Sequence, residues 1–286
     1  MTALLINGKE IARNKRQYIA EEVKKLRIQE DITPGLAVIL AGNDPASKTY
    51  VNHKRKACQE VGIRSVLIEY PPSIAEEVLI AKVKELNQDP QIHGILVQLP
   101  LPEQIKEEKV IAAISPDKDV DGFHPVNVGR MMIGVDAFFP CTPYGIMEML
   151  KEMQISLEGK EVVIIGRSNI VGKPAGQLFL RENATVTYCH SKTKNLTAHT
   201  RNADIVVAAV GKAEFIHADD IKKDAIVIDV GMNRNKEGKL CGDVCFADVK
   251  EKAKMITPVP GGVGPMTIAM LLQNTLKAAK TFASRK

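Results

Sequence analysis

The sequence predicts an α/β protein of two domains with parallel sheets, and two observations carry that prediction. Short apolar runs alternate with stretches of helical periodicity along most of the 286 residues. The alternation also occurs twice, on either side of a segment rich in turn formers. Short strands that alternate with helices imply parallel sheets covered on both faces.

In chain order, the first half reads as βαβαβ. Gly35-Leu-Ala-Val-Ile-Leu40 is a strand, residues 46–61 a polar helix, and Ser65-Val-Leu-Ile-Glu-Tyr70 a second strand. A helix over 74–86 and the strand Gly94-Ile-Leu-Val-Gln98 complete it. Residues 115–127 hold turn formers without periodicity and read as a loop or domain junction. Thr142 and Pro143 open a linker helix that runs to Met153, with Thr142 as N-cap and Pro143 at the first helical position. The second half has strand-like runs at 161–165, 184–189, 204–210 and 226–230. Residues 257–267 are dense in Pro and Gly, so they read as an inter-element loop or as a rigid backbone surface close to a flat ligand. A helix follows from Ile268 to about Ala283.

Composition excludes several classes. Hydrophobic residues make up 45% and charged residues 26%, as in an ordinary globular protein. No apolar stretch reaches membrane-spanning length, and the first residues lack the pattern of a signal peptide, so a cytoplasmic location is expected and no membrane partner. The 39 basic against 34 acidic residues are spread along the chain, which does not argue for nucleic acid but could help attract a phosphorylated small molecule. Five cysteines, an odd number with no CxxC, point to reduced thiols. Cys241, Cys245 and His217 lack a fourth ligand, and no metal is expected.

The apolar run ending at Gly166 hands over to what reads as the first turn of a helix, a place suited to a nucleotide phosphate because the first helical N–H groups are unpaired. The spacing departs from G-x-G-x-x-G: Ser168 replaces the second glycine, Val171 stands at the third, and Gly172 comes one residue late. An ordinary strand-to-helix turn without ligand fits as well. Residues 161–189 make one βαβ unit, and its second strand ends in His190-Ser191-Lys192-Thr193 without a carboxylate. With Arg167 in the turn and Lys192 at the strand end, the preference leans to NADP over NAD, although Lys192 and Lys194 also suit a solvated loop. Tyr50 and Lys54 share one helix face, where Lys54 would ordinarily join Lys48, Arg55 and Lys56 in solvent. Gln98 sits at the C-terminal edge of its strand, where open α/β sheets bind ligands. Asp121 lies in a loop, where an aspartate is most often a turn stabiliser.

Six segments occur in one order: Tyr50-Val-Asn-His-Lys54, Gly94-Ile-Leu-Val-Gln-Leu-Pro-Leu-Pro102, residues 116–127, Pro140-Cys-Thr-Pro143, residues 166–174, and Pro258-Val-Pro-Gly-Gly-Val-Gly-Pro-Met-Thr267. With them the chain closely resembles the bifunctional methylenetetrahydrofolate dehydrogenase/cyclohydrolase (FolD) family over nearly its whole length. The resemblance implies two α/β domains flanking a cleft, the second a Rossmann-like NADP-binding domain. Their extents would be 1–139 with 268–286, and 140–267. It implies oxidation of 5,10-methylene-tetrahydrofolate by NADP⁺ and hydrolysis of the methenyl product to 10-formyl-tetrahydrofolate, within one-carbon metabolism, by a homodimer.

By the same resemblance Lys54 handles the proton of the attacking water, and Gln98 positions that lysine. Tyr50 orients the folate and Asp121 accepts bonds from the pterin, with Leu99, Pro100, Gly264 and Pro265 also on the substrate. Gly166, Arg167, Ser168, Ser191, Gly231, Met232 and Thr267 are implied for the cofactor, Met232 through its backbone. A monofunctional folate dehydrogenase and a non-catalytic nucleotide sensor of the same fold are the competing readings. The chain has no room for an added formate-activating ligase.

Overall fold

A computed structural model describes residues 2–285. The chain runs β1 (Leu4–Leu5), α1 (Gly8–Glu30), β2 (Gly35–Ala41), α2 (Pro45–Val61), β3 (Arg64–Tyr70), α3 (Glu76–Gln88) and β4 (Gly94–Val97). Then come α4 (Glu107–Ala113), α5 (Pro125–Met132), α6 (Cys141–Glu152), β5 (Glu161–Ile165), α7 (Gly172–Arg181), β6 (Thr185–Cys189) and α8 (Leu196–Thr200). It ends with β7 (Ile205–Ala208), β8 (Ile226–Asp229), β9 (Asn233–Arg234), β10 (Leu240–Cys241), α9 (Phe246–Val249), β11 (Met255–Ile256) and α10 (Val263–Ala283).

Two units emerge. One comprises Met1–Ala12 and Thr142–Thr267, the other Arg13–Cys141 and Ile268–Lys286. The first is built on a six-stranded parallel sheet in the order β1-β11-β8-β7-β5-β6. The second carries a three-stranded parallel sheet, β3-β2-β4. Three strands, β2 and β4 of the smaller sheet and β7 of the larger, are wholly apolar for the reason anticipated. Every residue of β2, β4 and β7 is buried, so neither face of these strands meets water.

Both sheets have their first βαβ strand inside, not at an edge. β2 lies between β3 and β4, and β5 lies between β6 and β7, so the winding reverses at β2/β4 and again at β5/β7. At such a reversal the loops leaving adjacent C-terminal ends diverge and open a crevice.

Several boundaries differ from the sequence reading. Residues 1–12 belong with the six-stranded unit, not with 13–139, because β1 pairs in parallel with β11, Leu4 opposite Met255. Helix α1 was not anticipated, although Ile19, Val23 and Leu26 bury one of its faces. Helix α6 begins at Cys141, so Thr142 lies within its first turn and caps nothing; its hydroxyl instead meets that of Thr267 at 2.9 Å. Helix α10 starts at Val263 and absorbs part of the expected Pro/Gly loop, since Pro265 in a first turn forfeits no helical hydrogen bond. Likewise α5 begins inside the expected 115–127 loop, where His124 Nδ1 accepts from the N–H of Val126 at 3.1 Å. Among the described residues no helix is long and apolar enough to cross a membrane.

Candidate active site

The three-stranded unit gathers Tyr50, Lys54, Gln98 and Asp121. Asp44 caps α2 by accepting from the N–H of Ser47 at 2.7 Å, which fixes the rotation of the helix after β2. Lys54 is then turned inward and only 7% exposed, whereas Lys48 and Lys56 lie in solvent. Gln98 follows β4, and its own N–H donates to Ile39 of β2 at 2.9 Å. The winding reversal therefore carries both residues to one place. Lys54 Nζ donates to Gln98 Oε1 at 3.0 Å, and Gln98 Nε2 donates to the carbonyl of Leu99 at 2.7 Å. The second bond settles which end of the amide faces the lysine. The Lys54 ammonium also stands 5.9 Å from the centre of the half-buried Tyr50 ring, within cation–π range. Leu99 precedes Pro100 through a cis peptide bond.

Asp121 reaches the same edge because the segment before it joins β4. Asp119 bridges Ile95 in parallel, and Ile95 donates its N–H to the carbonyl of Lys118 at 2.8 Å. The turn-stabilising work belongs to Asp119, buried and accepting from the N–H groups of Phe123 and His124 and from Asn127 Nδ2. Asp121 is thereby left with part of its surface open. Burial pushes its carboxyl pKa up, the Lys54 charge opposes that shift, and Asp119 adds to it. Asn274 of α10 holds the backbone on both sides, donating to the carbonyls of Val120 and Phe139 at 2.9 and 3.0 Å. Beside it, burial raises the Cys141 thiol, whose Sγ donates to the carbonyl of Val120 at 3.3 Å.

The six-stranded unit holds the other predicted residues: Gly166, Arg167, Ser168, Ser191, Gly231, Met232, Gly264, Pro265 and Thr267. Gly166 follows β5 at φ 129°, and its N–H donates to the carbonyl of Cys189, the last residue of β6. The late Gly172 has a steric reason. A Cβ there would meet backbone, 2.6 Å from the Gly166 carbonyl carbon and 2.8 Å from the Arg167 nitrogen. Ser168, in place of a second glycine, supplies an acceptor: its Oγ takes the N–H groups of Val171 and Gly172 at 3.1 and 3.2 Å. The first N–H groups of α7 are therefore spent inside the turn and not left unpaired as expected, since Lys173 donates to the carbonyl of Ser168 and Ala175 to that of Val171. Arg167, Ser168, Ser191 and Met232 are exposed. A tight strand-to-helix turn with an exposed arginine, and an exposed serine after β6, still fit a phosphorylated dinucleotide.

Two buried carboxylates at the C-terminal edge of this sheet escaped the sequence reading. Asp229 ends β8 and accepts from the N–H groups of Gly231, Asp243 and Val244. Asp243 accepts from the N–H groups of Val210, Gly211 and Lys212 and from Asn233 Nδ2. Burial raises the Asp229 pKa to about 6, against the three N–H donors that favour its charge. His217, Cys245 and Asp248 place one ligand atom each within 4.8 Å of one another. Asp248, absent from the sequence reading, already pairs with His217 Nδ1 at 3.4 Å.

These features define a two-unit α/β protein of the dehydrogenase kind, with a nucleotide crevice on a parallel sheet and a lysine-centred site in the other unit. Residues 6–121 match the catalytic domain of tetrahydrofolate dehydrogenase/cyclohydrolase, and residues 140–283 match the NAD(P)-binding domain of that family. The bifunctional protein FolD of Bacillus subtilis is 62% identical over 280 residues, which are 98% of this chain and 99% of the relative. Among solved structures, the FolD dehydrogenase/cyclohydrolase of Campylobacter jejuni superposes with a TM-score of 0.96 at 48% identity, over 98% of this chain and 99% of its own. The Trypanosoma brucei FolD, solved with NADP and an inhibitor, gives 0.94 at 39% identity over 98% of both chains. The chain belongs to the tetrahydrofolate dehydrogenase/cyclohydrolase family.

Proposed function

We propose that this chain oxidises 5,10-methylene-tetrahydrofolate with NADP⁺ to the 5,10-methenyl cation and then hydrolyses that cation to 10-formyl-tetrahydrofolate. The observation that carries the reading is the buried Lys54 held at 3.0 Å from Gln98 Oε1, with Tyr50 and Asp121 at the same edge.

In the hydrolysis, water adds to the methenyl carbon and loses one proton, which ends in solvent; the bond from that carbon to N5 then breaks as the remaining hydroxyl gives up its proton to become the formyl C=O, and N5 takes one proton up. Lys54 serves that proton traffic. One N–H of Nζ is spent on Gln98 Oε1, which fixes the position of Nζ and leaves its other sites to take the proton of the water or give one to the departing nitrogen. Asp121 receives the pterin: burial disfavours its charge, so N–H donors from a ligand, which favour the ionised form, are rewarded there. Tyr50 offers a flat face to the folate beside Lys54, with Leu99 and Pro100 adjoining Gln98.

The oxidation needs no acid or base from the protein. A hydride leaves the methylene carbon for NADP⁺, and the folate nitrogens stabilise the cation that remains. The chain contributes positioning. The Gly166–Gly172 turn holds the phosphates, Arg167 and Ser191 the 2′-phosphate corner, and Gly231, Met232 and Thr267 the nicotinamide end. A cytoplasmic homodimer completes the proposal.

The test is Lys54→Met. Hydrolysis of added methenyl-tetrahydrofolate is expected to fall by about two to four orders of magnitude while NADP-dependent oxidation keeps much of its rate. Equal hydrolysis by variant and parent would overturn the role given to Lys54.

A further inference from the structure

We infer that the Asp243 carboxylate is a positioning residue for dinucleotide binding: it fixes the loop after β7 as one wall of the crevice that opens at the β5/β7 reversal. The inference rests on the NADP site proposed for the six-stranded unit and adds a residue that neither touches the dinucleotide nor belongs to the glycine turn.

The geometry is a chain of acceptors leading outward from the sheet. Thr257, just past β11, takes the Asp229 N–H on its Oγ1 at 2.7 Å. The Asp229 carboxylate, 3% exposed, takes the N–H groups of Asp243 and Val244 at 2.9 and 3.0 Å, and so sets the backbone that carries Asp243. Asp243, fully buried, then takes three consecutive N–H groups: Val210 at 2.6 Å and Gly211 at 3.0 Å on Oδ2, and Lys212 at 2.9 Å on Oδ1. Consecutive N–H groups converging on one anion form a nest, which requires a backbone reversal. Gly211 supplies it at φ 66°.

This loop lies directly against the glycine turn. Ala209 donates its N–H to the carbonyl of Ile165 at 2.8 Å, and a Cβ on Gly166 would collide with the carbonyl of Ala209. Loops 166–171 and 209–212 are therefore the two lips at the strand reversal. Asp243 also accepts from Asn233 Nδ2 at 2.9 Å, and Gly231 approaches it so closely that a Cβ there would overlap the carboxylate. A single buried anion thus sets two loops after neighbouring strands, 209–212 and 230–233.

Asp243→Asn keeps the volume but cannot satisfy the same donors. Whichever way the amide lies, an N–H₂ faces at least one backbone N–H of the nest. With the variant folded, as judged by circular dichroism and melting, the KM for NADP⁺ is expected to rise tenfold or more. Hydrolysis of added methenyl-tetrahydrofolate, which uses no dinucleotide, should stay within twofold of the parent. A general loss of structure would lower both. Gly211→Ala perturbs the same nest from the solvent side, where a Cβ meets nothing within 4 Å, and is expected to raise the KM for NADP⁺ at least threefold. It decides the matter if Asp243→Asn does not fold. A parent-like KM in the folded variants overturns the inference. Arg167→Ala, run alongside, separates the two failures: if it too leaves NADP⁺ binding unchanged, the proposed dinucleotide site itself is wrong.

Discussion

Gly172→Ala places one methyl group where the strand-to-helix turn is tightest. The new Cβ would stand 2.6 Å from the Gly166 carbonyl carbon and 2.8 Å from the Arg167 nitrogen, while side-chain Cβ atoms essentially never approach neighbours closer than 3.0 Å. All the colliding atoms are backbone, so no side chain can swing aside; residues 166–167 or the start of α7 must move by about half an ångström. Overpacking of that kind costs about 1–3 kcal/mol. In a chain of this size it corresponds to a fall in melting temperature of roughly 2–10 °C. The same displacement lengthens the bonds from Val171 and Gly172 to Ser168 Oγ and shifts the N–H groups offered to phosphate. Losing one or two phosphate hydrogen bonds, each worth about 1.5–3 kcal/mol when the partner is charged, raises the NADP⁺ KM at least about tenfold. Initial rates over a range of NADP⁺ concentration, with methenyl hydrolysis as internal control and a melting curve beside them, read all three effects. A variant that melts with the parent and keeps its KM would refute the steric account of the late glycine.

Two further outcomes follow from the same unit. Arg167→Ala should weaken NADP⁺ much more than NAD⁺, because only NADP⁺ carries the 2′-phosphate; an unchanged ratio of KM values in steady-state assays would remove Arg167 from that corner. Asp229 gives a pH dependence of unusual sign. Because burial raises its folded pKa to about 6 from an ordinary value near 3.8, its contribution to stability is complete below about pH 4 and is lost as pH rises through about 6, some 3 kcal/mol in all. The stability of the parent relative to Asp229→Asn, from denaturant melts at pH 4.5 and pH 7.5, should therefore fall as pH rises; a constant difference would contradict it.

Much of the architecture could be read from local pattern. The strands β2, β4, β5, β7 and β8 are largely apolar runs, β3 and β6 are mixed runs rich in β-branched and aromatic residues, and turn residues bound them all. Lys54 shows where pattern stops. Its neighbours Lys48 and Lys56 are chemically the same and lie in solvent, and only the rotation of α2 set by Asp44, with Gln98 brought across from β4, turns Lys54 inward. Asp119, to which the sequence reading assigned no role, takes the turn-stabilising one considered for Asp121 for a similar reason: the parallel bridge to Ile95 buries Asp119 and leaves Asp121 partly open. Helix α1 could have been found from the spacing of Ile19, Val23 and Leu26, but its charged face masks the periodicity. The two-residue strands β1 and β11 carry no local signal, since each exists only because a distant partner supplies hydrogen bonds. The roles of Asp229 and Asp243 are equally invisible, because their donors are backbone N–H groups that any sequence would have.

The pairing of Leu4 with Met255 has a consequence for biosynthesis. The β3-β2-β4 sheet closes within residues 35–97 and can form while the ribosome is still translating the rest. Strand β1 is made well before β11 and must wait, unpaired, until that distant partner follows. The six-stranded sheet therefore gains one edge only once β11 has been made, through a contact of high sequence separation and hence a slow one. Changes that weaken β1 burden the assembly of the dinucleotide-binding unit, not that of the lysine-bearing one.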